Sequence, residues 1–293
     1  MFALLCPAFW GLNSVFYKFL MTKKFRSWFP MLSFIGFIDM AVAFIIFLVS
    51  PVNLVFPFTV FAMLVGVMPL LAFWFYSKAL MVEEISRISP LSQFVPIFVV
   101  FMSVIFLDEF LSVQRYLGVA IIILASVLIS YRRSKTGVAL SSALKFMLPF
   151  TGVLAVHSIL EKFLLSYFDY WSLFFWNLLG AFCGVLFLML FSKLRREFIE
   201  TVRTVGRNAF FVVFVGESIY FLGAICWLIA ASVGYVSLVS ALAGLQSFFV
   251  FVYVIFSSLF VPQHLEEDLS RGVIMLKISA IALIIAGTWL VAG

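Results

Sequence analysis

Few side chains in this 293-residue chain can bind or transfer anything polar, and several of those lie inside long apolar stretches. His157 and Glu161 stand four residues apart, a spacing that puts both on one face of a helix. An imidazole beside a carboxylate can hold a polar solute or pass a proton, because imidazole titrates near neutral pH. Asn13 and Tyr17 repeat that spacing near the amino terminus, and each pair is followed by a lysine, Lys18 and Lys162. Two lysines in matching places could attract a carboxylate or phosphate; alternatively each snorkels to a membrane surface. Glu217, among Phe210, Phe211, Phe214, Tyr220 and Phe221, has no basic neighbour in its own run. It is therefore the sharpest candidate for a proton or cation site, with Glu161 and His157 beside it as coupling candidates. Gln93 and Gln246 carry amides that bind solutes or join helices, and Trp74, Tyr76, Tyr220 and Trp227 offer aromatic walls. Asp39 is read as a pairing or packing residue.

None of this is the equipment of a catalyst. The chain has no Gly-x-Ser-x-Gly, no His-Glu-x-x-His and no Asp-rich motif, so no catalytic residue is assigned. Cys6, Cys183 and Cys226 sit in apolar sequence and make neither a disulfide framework nor a metal site; no metal and no cofactor are expected.

Positioning these side chains falls to elements of an unusual composition. Hydrophobic residues make up 65% of the chain, charged residues 11%, and the mean hydropathy is +1.22. About a quarter of a soluble domain is charged, so a water-soluble enzyme, a nucleic-acid-binding domain and a disordered tail are excluded. A helix needs about 20 mostly apolar residues to cross a bilayer. Ten such runs are present, at about 2–20, 31–50, 56–80, 88–107, 115–131, 146–166, 171–192, 209–231, 235–261 and 274–292. They lack the alternation of a barrel strand, so the expectation is an all-α membrane protein with ten transmembrane helices. The first run has no basic leading segment and is read as a retained helix. Pro90 and Pro96 in the fourth run, and Gly234 and Gly244, which flank or interrupt the ninth, predict bends there. Gly180 and Gly184 predict a close helix contact.

Charge gives the orientation. Fourteen lysines and arginines lie in the loops after odd-numbered runs, against Arg115 alone in the others. The positive-inside bias then puts the odd-numbered loops in the cytoplasm of a cell-membrane protein, with both termini outside. The net charge of +6 is thereby an orientation signal, and no nucleic-acid partner is implied. In the seventh loop, Leu194, Phe198, Val202 and Val205 recur at helical spacing opposite basic residues, which predicts a short helix lying on the interface.

The two halves also align. NSVFYKFL from Asn13 matches HSILEKFL from His157; Ser86, Ser89 and Leu91 match Ser237, Ser240 and Leu242; and the last runs match from Arg115 and Lys277. Five spans per copy force the second copy into the membrane upside down, so the spans form two inverted five-helix repeats. Residues 1–131 make the first, 132–145 a cytoplasmic linker and 146–293 the second. Inverted repeats recur in secondary transporters, where exchange of the two halves' conformations turns an outward-open cavity into an inward-open one.

Trp10, Gly11 and Lys18, then Ala79, Leu80, Ser89, Pro96, Leu107 and Glu109, resemble the EamA repeat of the drug/metabolite transporter superfamily. The second half keeps Lys162, Ser237 and Ser240 but replaces the Leu-x-Glu with VPQHLEEDL. The resemblance implies two bundles of five helices around a central cavity, secondary transport of small metabolites, and termini in the cytoplasm, contrary to the loop charges. The expectation is thus a transporter of a small organic solute working by alternating access, proton- or exchange-coupled, and not an enzyme. A lipid-translocating or channel-like protein is the alternative, with an intramembrane enzyme behind it. The expected partners are a small-molecule substrate and the lipid bilayer, with the chain a monomer or a homodimer.

Overall fold

The computed structural model describes residues 1–292 apart from 26, 84, 93, 109, 135, 136, 141 and 261–270. Gln93, Glu109 and VPQHLEEDL therefore lie outside the described residues. In chain order the helices are α1 (Phe2–Lys23), α2 (Trp28–Val49), α3 (Phe58–Val82), α4 (Ile85–Leu91), α5 (Phe94–Phe106), α6 (Val113–Ser130), α7 (Leu144–Leu164), α8 (Tyr170–Met189), α9 (Ser192–Thr204), α10 (Arg207–Val233), α11 (Val236–Ala243), α12 (Gln246–Phe260) and α13 (Arg271–Ala292).

These helices are arranged for a bilayer. Phe47 and Leu48 are 60% and 66% exposed, whereas Asn13, Asp39, Glu161 and Glu217 are buried. A soluble protein hides most of its large apolar side chains; beside its apolar core, this molecule leaves many large apolar side chains exposed on the helix faces. Seven helical segments among the described residues are long and apolar enough to cross a membrane: α1, α2, α3, α7, α8, α10 and Val236–Ser257. Shorter apolar helical stretches run over Phe94–Phe106, Val113–Ile122 and Ile278–Leu290.

The two runs in which proline and glycine predict bends are each broken into two helices. The fourth divides into α4 and α5 around Ser92, and the ninth into α11 and α12 at Gly244 and Leu245. Proline supplies the first break: Pro90 withholds an N–H from the end of α4, while Pro96 falls in the first turn of α5, where a missing N–H costs nothing. At the second, Gly244 caps α11, and glycine's freedom makes continued helix unfavourable. At the start of the stretch read as a linker, β1 (Tyr131–Ser134) pairs antiparallel with β2 (Gly137–Leu140). The amphipathic stretch of the seventh loop forms α9, which buries no residue but packs Phe198 on Phe34 and Phe37, with ring centroids 5.2 and 6.0 Å apart.

Packing crosses between the halves. α1 lies along α10 and α3 along α7; α2 packs on α8, and α6 on α13; α1 also meets α12, and α7 meets α5. The tightest approach is α3 to α8, where a Cβ at Gly66 would overlap the backbone of Asn177 and one at Gly180 that of Met63.

Candidate functional site

A cavity of about 280 Å³ lies where α1, α2, α3, α7, α8 and α10 converge, with the breaks of both divided helices on its wall. Each helix contributes one face. From α1 come Trp10, Asn13, Ser14 and Tyr17, at the i, i+3, i+4, i+7 spacing of a single stripe. From α7 come Leu154, His157, Ser158 and Glu161, the same four positions 144 residues further on. The correspondence continues at an offset of 142, with Leu32, Ile35 and Asp39 on α2 facing in like Phe174, Asn177 and Ala181 on α8. At an offset of 151, Gly66, Pro69, Phe73 and Tyr76 on α3 are matched by Glu217, Tyr220, Ala224 and Trp227 on α10. The positions correspond while the side chains differ, so the polar groups are distributed unevenly.

The two glutamates sit in different surroundings. Glu161 is held by donors: Asn177 Nδ2 at 2.9 Å to Oε1, Trp227 Nε1 at 3.1 Å to Oε2, and His157 Nδ1 3.4 Å from Oε2. That network suits an anion, because each donor satisfies a carboxylate lone pair. Glu217 is completely buried and accepts a hydrogen bond from the Tyr17 hydroxyl on Oε1, while its Oε2 has no partner. Trp10 Nε1, His157 Nε2 and Asn177 Oδ1 are likewise buried and unpaired. Buried polar atoms are nearly always bonded, so four such atoms on residues lining one cavity mark where a ligand would bond. The wall is fixed around them. Asn13 Nδ2 donates to Gly216 O at 2.8 Å, Gln246 Nε2 donates to Ser14 Oγ at 3.0 Å, and the Trp10 ring packs 6.3 Å from Tyr220 and 5.8 Å from Trp227.

Of the residues singled out from sequence, Asn13, Tyr17, Tyr76, His157, Glu161, Glu217, Tyr220, Trp227 and Gln246 meet on this cavity. Lys18, Lys162 and Trp74 are not among its lining residues. Lys18 Nζ donates to the carbonyls of Leu80 and Glu83 at 2.6 Å each, and Lys162 Nζ to those of Ala231 and Gly234 at 2.7 and 2.9 Å. Both lysines thus serve the last turn of a long helix, α3 and α10, where carbonyls lack intrahelical partners. Trp74 stacks under Lys78, whose Nζ is 3.8 Å from the ring centroid.

Sequence reasoning passed over Asn177, Ser14 and Ser158 as cavity residues and treated Asp39 as packing, although all four line the wall. Ser14 and Ser158 were open to detection, since each shares the stripe of its polar neighbours; Asp39 and Asn177 face the cavity only through the long-range packing of α2 on α8.

No curated protein matches the sequence. A solved crystal structure is 16% identical, with a TM-score of 0.67 and 98% of each chain covered, a likeness that extends to the fold alone. The sequence match is more specific in kind and covers less of the chain. Residues 1–131, which carry Trp10, Gly11 and Lys18, match the EamA-like transporter family, as the resemblance to the drug/metabolite transporter superfamily implied, and the molecule around them is an integral multi-pass membrane protein.

Proposed function

We propose that the chain is a secondary transporter that carries a small organic solute across the cell membrane by alternating access, with ten spans arranged as two inverted repeats. The observation that carries this reading is the cavity wall, to which α1 and α7, α2 and α8, and α3 and α10 contribute corresponding positions. The packing supports it too. Exchanging the halves converts α1 on α10 into α7 on α3 and α1 on α12 into α7 on α5, and leaves α2 on α8 and α6 on α13 as they are. The lysines follow the same rule on α3 and α10. Broken helices beside a central site are a recurring transporter device, and α4/α5 and α11/α12 supply a pair.

Coupling is assigned to Glu217. Gly66 holds the corresponding position in the other half, so at this matched position α10 alone carries a carboxylate, with Tyr17, Tyr76, Tyr220, Asp39, His157 and Glu161 as the other titratable groups around the wall. The test is counterflow in proteoliposomes, using any solute that stabilises the purified protein in a metabolite screen and an imposed pH gradient. Saturable counterflow that Glu217→Gln uncouples from the gradient is expected. Single-channel currents, or stabilising solutes that never exchange, would overturn the proposal.

A further inference from the structure

We propose that the cavity selects small organic cations: an amine whose nitrogen sits between Asp39 and Glu217, carrying one ring against the aromatic wall. This deepens the transporter reading and rests on its site, but it concerns what binds there and is separable from whether it moves.

Charge is the first ground. Three carboxylates line the cavity, Asp39, Glu161 and Glu217, and among the described residues no lysine or arginine does. The basic groups nearest in sequence, Lys18 and Lys162, are engaged with the carbonyls of α3 and α10. One carboxylate already has its counter-groups, since Glu161 is bonded by Asn177 and Trp227 and paired with His157. Among the described residues Asp39 and Glu217 have no basic partner, though both are buried. Uncompensated carboxylates at membrane depth are costly, and a ligand bearing positive charge removes that cost, whereas a carboxylate or phosphate adds to it.

Acceptors are the second ground. Glu217 Oε2 and Asn177 Oδ1 are unpaired and can only accept from a ligand while the carboxylate is ionised, which fits the N–H groups of an ammonium. The unpaired tryptophan donor is neutral. Trp10 Nε1 suits a hydroxyl or carbonyl oxygen on the same solute, while His157, with Nδ1–H toward Glu161, presents Nε2 as a further acceptor when the ring is neutral.

Aromatic rings are the third ground. Trp10, Tyr17, Phe73, Tyr76, Tyr220 and Trp227 all line the space. Ring faces attract cations, tryptophan most strongly, and offer a flat apolar surface to the rest of the molecule. A volume of about 280 Å³ is at the small end for ligand sites, which limits the solute to about one ring and a short chain. The helix breaks do not reverse the sign, because at each the carbonyl end of one half-helix meets the amide end of the next and their partial charges offset.

Three probes with one ring and different charge decide the matter: phenethylamine, phenethyl alcohol and phenylacetate, titrated calorimetrically into purified full-length protein at neutral pH. The amine is expected to bind at least ten-fold more tightly than the other two. In the double variant Asp39→Asn, Glu217→Gln it should fall to within about two-fold of the alcohol, whose own binding persists and thereby reports an intact cavity. Phenylacetate binding as tightly as the amine would overturn the proposal, as would an amine preference that survives in the double variant, or failure of all three probes to bind. Flux of the bound probe from proteoliposomes separates the two readings. An amine that binds but never crosses leaves the cation site standing and removes the transporter, whereas a carried phenylacetate does the opposite.

Discussion

At the scale of single residues, the two glutamates of the cavity differ in what surrounds them, and their variants should differ accordingly. Glu161 accepts from Asn177 and Trp227 and is paired with His157. Glu161→Gln turns one acceptor into a donor, which must face a donor already there and leave it unsatisfied, at a cost of about 1–3 kcal/mol. Glu217→Gln retains an oxygen for the Tyr17 hydroxyl and costs little. Purified Glu161→Gln should therefore melt several degrees below wild type while Glu217→Gln melts close to it; the reverse order would contradict these assignments. Much of this site is legible in sequence because His157, Glu161, Asn13 and Tyr17 declare their helix faces by spacing alone. Trp74 and Tyr76 could not both face the cavity, since side chains two apart on a helix point to different sides. It is Tyr76 that lines the wall, while Trp74 stacks under Lys78.

At the scale of elements, helix ends account for charges that sequence alone could not assign. Lys18 and Lys162 look like substrate attractors from spacing, because the carbonyls they reach are more than sixty residues away in sequence. In the fold each secures the end of a long helix against its neighbour. Charge-assisted hydrogen bonds of this kind are worth about 1.5–3 kcal/mol each. Lys162→Met is therefore expected to lower the melting temperature and leave solute affinity within about two-fold of wild type; an affinity loss of ten-fold or more with unchanged melting would return the lysine to the cavity. A third charged residue works at the opposite end of a helix. Asp169 caps α8, accepting from the N–H groups of Trp171 and Ser172 at 2.9 and 3.0 Å and from Ser172 Oγ at 2.6 Å. It also ties in the loop before α3 through Asn53 Nδ2 at 3.1 Å. Partial burial pushes its carboxyl up, but the bonds from Ser172 and Trp171 outweigh that and hold it below the usual 3.8. A carboxyl lowered in the folded state stabilises above its unfolded value and loses that contribution as pH falls through the folded one. Asp169→Ala should thus cost about 1 kcal/mol at neutral pH, and the gap to wild type should narrow once the pH drops under 3.8, as read from unfolding curves across an acid series.

At the scale of the whole molecule, two signals in the chain point to opposite orientations. Loop charge puts the odd-numbered connections, among them the α1–α2 turn and α9, in the cytoplasm and the termini outside, whereas resemblance to the EamA family implies cytoplasmic termini. With the ten spans and inverted repeats proposed above, both termini share one side of the membrane and the bundle would look alike from either side. The chemistry of the surfaces does differ. α9 carries Lys193, Arg195, Arg196 and Arg203 on a helix that buries nothing, while the loop between α2 and α3 is uncharged and tied to Asp169. Basic side chains near a membrane surface are drawn to the anionic cytoplasmic leaflet, and an amphipathic helix with this composition gains both from that field and from laying Phe198 toward the bundle. Thiol labelling from one side of the membrane provides the measurement. With Cys6, Cys183 and Cys226 replaced by alanine, a single cysteine at Lys193→Cys should resist an impermeant maleimide in intact cells and react in inside-out vesicles, and one at Asn53→Cys should show the opposite pattern. Labelling of the α9 site from outside would reverse the orientation assigned from charge and put both termini in the cytoplasm, and the excess of basic loops would then have to be explained by what they bind outside the cell.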